Sequence, residues 1–131
     1  MRQLATALLS LVLFATGAQA QSAKEKYELI ERCAKQAAET FRKEWERPSS
    51  PLASYENHYN FRLNKCFYIE ITNTYEPEQG PSRSMDLRDL YENRKIARYD
   101  KLRDVVYCSV QEKQCTSEAE WRALVKPFME D

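Results

Sequence analysis

Four cysteines, Cys33, Cys66, Cys108 and Cys115, follow an apolar leader. Together these two features restrict the chain more than anything else in it. Residues 1–20 read MRQLATALLSLVLFATGAQA, with Arg2 as their single charge. An apolar run begins at Leu4 and reaches Ala15, and small residues stand at Ala18 and Ala20. A charge, an apolar run and a small-residue site, in that order, make a secretory signal peptide. The run is short for a bilayer-crossing helix, which needs about 20 apolar residues, so a cleaved leader is the reading rather than a retained anchor. No cysteine follows Ala20 directly, which argues against a lipoprotein anchor. The expectation is a signal peptide over 1–20 and one domain over 21–131, periplasmic or secreted, with no transmembrane span in the mature part.

Export carries the cysteines into an oxidising compartment, where an even count in a small domain reads as disulfides. Three pairings are open to four cysteines. The favoured one is Cys33–Cys66 with Cys108–Cys115. The second pair brackets Ser109 to Gln114, a natural hairpin length, and the first would tie a helix to a strand. The competing use is a zinc site built from His58 and three cysteines. Its spacing matches no usual paired-ligand pattern, so no metal is expected.

Charge removes further classes. Twenty Lys and Arg balance twenty Asp and Glu, which argues against a nucleic-acid partner because such proteins carry a basic excess. Two glycines leave little room for a phosphate loop, and one histidine excludes a multi-histidine site. No cofactor is expected.

Hydrophobic periodicity sets the fold class. Residues 24–46 place Tyr27, Ile30, Ala34, Ala37, Phe41 and Trp45 at three- and four-residue steps, the stripe of an amphipathic helix. Cys33 lies at the edge of that stripe. Arg47-Pro48-Ser49-Ser50-Pro51 ends the helix, since Pro48 disfavours helical geometry at Arg47. The period then falls to two. In 65–75, Phe67, Ile69 and Ile71 point one way and Cys66, Tyr68, Glu70 and Thr72 the other. Further strands are expected at 53–59, 84–91, 95–100 and 104–110. The chain turns at 76–82 and folds back through Gln111 and Glu112. Ser117 followed by Glu120 predicts a capped C-terminal helix with Trp121, Leu124, Val125 and Phe128 on its apolar side, its last turn shortened or distorted by Pro127. The result is an α+β fold: N-terminal helix, four- or five-stranded antiparallel sheet, and C-terminal helix. Both helices are expected to pack on the sheet and share its core.

The segments NHYNFRLNKCFYIEIT (57–72) and CTSEAEWRALVKPFMED (115–131) are similar to a group of small exported bacterial proteins of unassigned function. The resemblance implies export and a single domain, and it carries no catalytic residue. The element order is also similar to cystatin-like and nuclear-transport-factor-like folds. A Q-x-V-x-G inhibitor loop is missing, so cystatin activity does not follow, and such folds host unrelated functions.

The chemistry-bearing candidates are few. A lone histidine, His58, has the unperturbed pKa of a general base near neutral pH, about 6.5. Ser54, Ser82 and Ser84 are its serine candidates, yet none lies in a G-x-S-x-G elbow. Glu56 is its nearest carboxylate in sequence. The acid pairs Glu76/Glu78 and Asp86/Asp89 read as solvated surface. Arg94, Lys95, Arg98, Lys101 and Arg103 surround Tyr99, a run suited to an anionic glycan, lipid headgroup or acidic protein. Of eight tyrosines, Tyr55, Tyr59 and Tyr75 are candidates for exposed contact residues. Two functions follow. The first is an exported non-enzymatic domain that binds a protein or cell-envelope glycan through His58, Tyr55, Tyr59, Arg94, Lys95, Arg98 and Tyr99, with the Cys108–Cys115 hairpin as a rigid contact element. The second is a small periplasmic hydrolase using His58 with a nearby carboxylate.

Overall fold

The computed structural model describes residues 22–46 and 52–131. The leader at 1–20 and the helix-ending segment at 47–51 lie outside the described residues. Helix α1 spans Ala23–Trp45 and helix α2 spans Glu118–Met129. Between them run β1 (Leu52–Asn60), β2 (Lys65–Glu76), β3 (Gly80–Asp89), β4 (Arg94–Leu102), β5 (Val105–Val110) and β6 (Lys113–Gln114). The six strands form one antiparallel sheet in chain order. The expected four or five strands become six because the return from Gln111 and Glu112 makes a two-residue strand, Lys113–Gln114, on Ser109 and Val110. β3 also begins earlier than expected. Pro81 and Ser82, read from sequence as loop, pair with Tyr75 and Thr74, and a proline is tolerated so near a strand start. Leu90 and Tyr91 belong to the following turn instead. No helix among the described residues is long and apolar enough to cross a membrane.

Each of the five strand-to-strand turns has one residue in the left-handed region, within it or at its edge: Asn64, Gly80, Asn93, Arg103 and Gln111. Glycine and asparagine adopt it readily, but arginine and glutamine do so at a cost. Arg103 is held there by its own guanidinium, which donates to the carbonyls of Glu78 and Gln79. Gln111 is held by its backbone N–H, which donates to Ile96 O at 2.8 Å. That carbonyl belongs to a bulge. Leu87 faces Ala97 while Arg88 faces Lys95, so Ile96 is the extra residue on β4.

Both helices pack on the sheet, but they do not share a core. Phe67, Ile69 and Ile71 on β2 pack with Met85, Leu87, Tyr99, Cys108 and Val110 beneath Trp121 and Val125 of α2. The alternate β2 residues, Cys66 and Tyr68, pack with Cys33 and Ala37 of α1 and with Tyr59 and Leu90. Strand side chains alternate between faces, so the helices lie on opposite sides and β2 is buried on both. The single shared core expected above is thereby corrected to two.

Disulfides Cys33–Cys66 and Cys108–Cys115 both form, as the spacing favoured. No sulfur remains for a zinc site. Cys33 is fully buried and sits at the centre of the α1 contact face, not its edge. The face runs through Leu29, Cys33, Ala37 and Phe41. Tyr27 and Ile30, counted in the expected stripe, are 66% and 47% exposed. The bond to Cys66 and the close packing of Ala37 fix the helix rotation, and the apolar pattern alone does not. α2 matches its expected face, with Trp121 and Val125 buried and Leu124 and Phe128 partly so. Ser117 Oγ accepts the Glu120 N–H at 3.1 Å, and Glu120 Oε2 accepts the Thr116 N–H at 2.8 Å, one residue before the usual capping-box donor. The helix runs through Pro127 to Met129.

Candidate functional site

The sheet separates the sequence candidates. On β1, Glu56 and His58 face α2, whereas Tyr55 and Tyr59 face α1. Tyr59 is buried, and Tyr55 is half-buried between Phe41 and Tyr68, at 4.9 and 5.6 Å between ring centroids. Neither is the exposed contact residue expected, because α1 covers both. Tyr75 is exposed.

His58 lines a cleft of about 560 Å³ between β1 and α2, floored by Ile69, Val125 and Met129 and walled by Glu56, Arg122, Lys126 and Glu130. Its Nε2 is shielded from solvent and lacks a hydrogen-bond partner, with Asp131 Oδ1 at 3.6 Å. Glu56 shares the cleft but is not free. Arg122 Nη1 donates to its two carboxylate oxygens at 3.0 and 2.9 Å. Ser54 faces the same side of β1 four residues away, about 13 Å along a strand, which is beyond proton-transfer reach. Ser82 and Ser84 belong to the other face, where Ser84 Oγ donates to Asp100 Oδ1 at 2.6 Å. The cleft therefore holds a histidine and engaged carboxylates but brings no serine to the imidazole.

The basic run is dispersed by the same alternation. Tyr99 faces the α2 core and is buried, so it cannot be a contact residue. Lys101, opposite Arg83, points to the α2 side, and Arg103 is spent on its turn. Arg98 lies on the α1 side beyond the helix, paired with Asp100. Arg94 and Lys95 remain together. With Ile96, Gln111, Glu112 and Lys113 they line a second cleft, about 710 Å³, between the β3–β4 and β5–β6 turns. Two separate sequence candidates, the basic run and the disulfide hairpin, thus meet at one end of the sheet. Three cations and one acid line this cleft, and acids outside it take two of the cations. Arg94 pairs with Glu92 at 3.4 Å and Lys95 with Asp86 at 3.1 Å, whereas Lys113 has no ion pair among the described residues. Both walls are fixed: the hairpin by Cys108–Cys115 and by the Cys115 N–H donating to Cys108 O, and the two turns to each other by Gln111 and Ile96.

The acid pairs also part company. Asp89 is fully buried, correcting its reading as solvated surface. It takes Lys65 Nζ at 2.7 Å and the Tyr91 N–H at 2.9 Å, and so closes the β3–β4 turn. Asp86 points to the opposite face.

A site that sequence patterns did not single out lies beneath the end of α1. Glu70 Oε2 accepts the Trp45 Nε1–H at 3.1 Å and the Tyr68 hydroxyl at 3.4 Å. Burial, and then the hydrogen-bonded carboxyl of Glu44, push its pKa up to about 7. Glu44 is lowered by that hydrogen bond and by Arg88 Nη1, 2.8 Å away. The only sequence signal was a charged residue inside the strongest strand.

No family model, curated protein or solved structure matches the chain.

Proposed function

We propose that the protein is an exported, non-enzymatic binding domain, and that the cleft between the β3–β4 and β5–β6 turns receives an anionic group of a protein or cell-envelope glycan. One observation carries the reading: Arg94, Lys95 and Lys113 converge on a cleft whose two walls are locked together. A fixed site loses little conformational entropy on binding, which favours recognition by a small domain. The leader-like sequence and the two disulfides support export.

The hydrolase alternative centres on His58 in the β1–α2 cleft. The engagement of Glu56 with Arg122 counts against it, because that carboxylate is not free to orient the imidazole.

The test titrates the oxidised domain with polyglutamate and with an anionic polysaccharide over a salt series. Binding by either should weaken as salt rises and should fall about tenfold or more in a Lys113→Glu, Arg94→Glu double variant. A Lys43→Glu variant on the exposed face of α1 should bind normally. Equal binding by the double variant and the native domain, or no binding of either polymer at low salt, would remove this site.

A further inference from the structure

We propose that this chain forms a two-fold dimer through the free edge of its sheet, in which β1 pairs antiparallel with β1 of a second copy and α1 packs on α1 beside it. β1 ends the strand order and pairs with β2 along its whole length, so its outer row of backbone N–H and C=O groups has no strand partner among the described residues. Sheet edges of this kind are ordinarily blunted by lysine, proline, a bulge or shortness. β1 has none of these. Leu52–Asn60 is nine residues long, keeps an unbroken register with β2 and carries one acid, Glu56, with no lysine, arginine or proline. The opposite edge is built differently: β6 covers Ser109 and Val110, and the Cys115 N–H donates to the Cys108 carbonyl.

An apolar stripe of α1 overlooks the same edge. Helical residues turn about 100° each, so from Cys33, which faces the sheet, Ile30, Phe41, Ala34 and Tyr27 lie about 60°, 80°, 100° and 120° round in one sense. Phe41 meets Tyr55 of β1, at 4.9 Å between ring centroids, so this sense leads towards the free edge. In the other sense Gln36 donates to Leu90 O at 3.1 Å, in the turn that follows β3. From Ala23 to Trp45 no charged residue falls between about 40° and 140° on the free-edge side. Tyr27 and Ile30 stand exposed there.

The pattern is complementary to itself, which selects a second copy as the occupant. Reversed about Ala34, the stripe sets Ile30 against the partner's Ala38 and Tyr27 against the partner's Phe41, with Ala34 on its own copy at the point of closest approach. The strand agrees on the centre. Cys33 lies over Asn57, whose Nδ2 is 3.9 Å from its sulfur, and an antiparallel pair centred on Asn57 places Glu56 opposite the partner's His58 rather than its own copy. The spacing closes as well. α1 packs on both β1 and β2, and with strands about 4.8 Å apart its axis lies about 5 Å from the two-fold, so the two helices come about 10 Å apart, an ordinary packing distance. The basic cleft between the β3–β4 and β5–β6 turns lies at the far edge and stays open in both copies.

Sedimentation equilibrium of the oxidised chain, secreted by its expression host, reads the association. It should fit a monomer–dimer equilibrium with dimer predominant at about 100 μM. Ile30→Glu, at an exposed position, should weaken the dimer about tenfold or more without changing the circular dichroism of the monomer. Glu39→Lys, on the other side of α1, should leave association as it is. Hydrogen exchange locates the interface: amides over 52–60 should exchange about fivefold or more slowly at about 100 μM than at about 1 μM, while those over 105–110 do not change. A monomer at about 100 μM, a dimer indifferent to Ile30→Glu, or a dimer whose β1 amides exchange as fast as the monomer's would each overturn the pairing. Protection of β1 that arises only on adding a foreign extended peptide would overturn it too, by giving the edge to a different partner. The concentration dependence needs no variant, so the idea stays open to refutation even if Ile30→Glu folds poorly.

Discussion

Asn60→Ala should be among the most damaging single substitutions in the domain, although no core hydrophobic residue is touched. Asn60 is fully buried at the end of β1. Its Nδ2 donates to Pro127 O, Phe128 O and Glu130 O at 3.1, 3.2 and 3.0 Å, and its Oδ1 accepts the Leu63 N–H at 2.9 Å. One amide thus ties the β1–β2 turn to the end of α2. A typical net hydrogen bond contributes about 1 kcal/mol, and leaving a partner buried without one costs about 1–3 kcal/mol. Pro127 O keeps Arg62, at 2.9 Å, and the Glu130 carbonyl lies on an exposed residue that water can reach. The Phe128 carbonyl is left without its partner, and the Leu63 N–H, also on an exposed residue, loses only the net bond, so the expected cost is about 2–4 kcal/mol. In a domain of this size that lowers Tm by about 10 °C or more. Urea unfolding followed by circular dichroism gives the free energy directly. Asn60→Asp adds a sharper check. At pH 7 its carboxylate would face three carbonyl oxygens, so it should be at least as unstable as the alanine variant and should recover relative to it below about pH 4, where the acid regains a donor. A loss under about 0.5 kcal/mol in Asn60→Ala, or an aspartate variant that is indifferent to pH, would refute the assignment of this residue as the tie.

Mass spectrometry of the non-reduced protein should show the 33–66 and 108–115 links. Removing the first pair by double alanine substitution should cost about 3–4 kcal/mol and the second about 2–3, following loop length. Glu70 has a folded pKa near 7 against an ordinary value of 4.5, so its contribution is present in full below about pH 4.5 and is lost as pH rises to about 7. Urea midpoints across that range should carry this downward component, and it should disappear in Glu70→Gln. Phe41→Ala should cost about 2–3 kcal/mol, less than for a fully buried ring, while Tyr27→Ser on the outward face should stay within about 0.5, both read from thermal unfolding. Gln111→Val should destabilise by about 1–2 kcal/mol because a β-branched residue fits poorly at φ 53°, whereas Gln111→Asn should be near neutral in the same melts.

Several features were legible because a single local rule governs each. Phe67, Ile69 and Ile71 announce a strand by alternation, Ser117 announces a helix start, and Cys108 and Cys115 lie close enough to bracket a hairpin. The rotation of α1 was not legible. Tyr27, Ile30 and Ala34 form as good a stripe as Leu29, Cys33 and Ala37, and only the partner of Cys33 decides between them. The two cores were hidden for a related reason. Cys66 and Tyr68 alternate with Phe67 and Ile69, so a strand buried on both faces resembles one with a polar side. The sixth strand was masked by its turn, where Gln111 takes a conformation usually given to glycine or asparagine.

The same alternation explains why the basic run misled and why its ends did not. Along a strand, neighbouring residues belong to opposite faces, so the four bases of the run that lie in β4 cannot form one patch around Tyr99. Tyr99 goes to the core, Lys101 to one side, Arg98 to the other. The rule is interrupted at the bulge. At the beginning of β4, Arg94 and Lys95 pair with Asp89 and Arg88 in a register offset by the extra residue Ile96, and the bulge carbonyl is what Gln111 binds. The irregularity that breaks the strand pattern also brings the hairpin holding Lys113 to the two bases. A β4 without the bulge would shift the strand register at Arg94 and Lys95 and take the Ile96 carbonyl away from Gln111. The cleft thus depends on one extra residue in β4, and nothing in the composition or charge of the segment marks which residue that is.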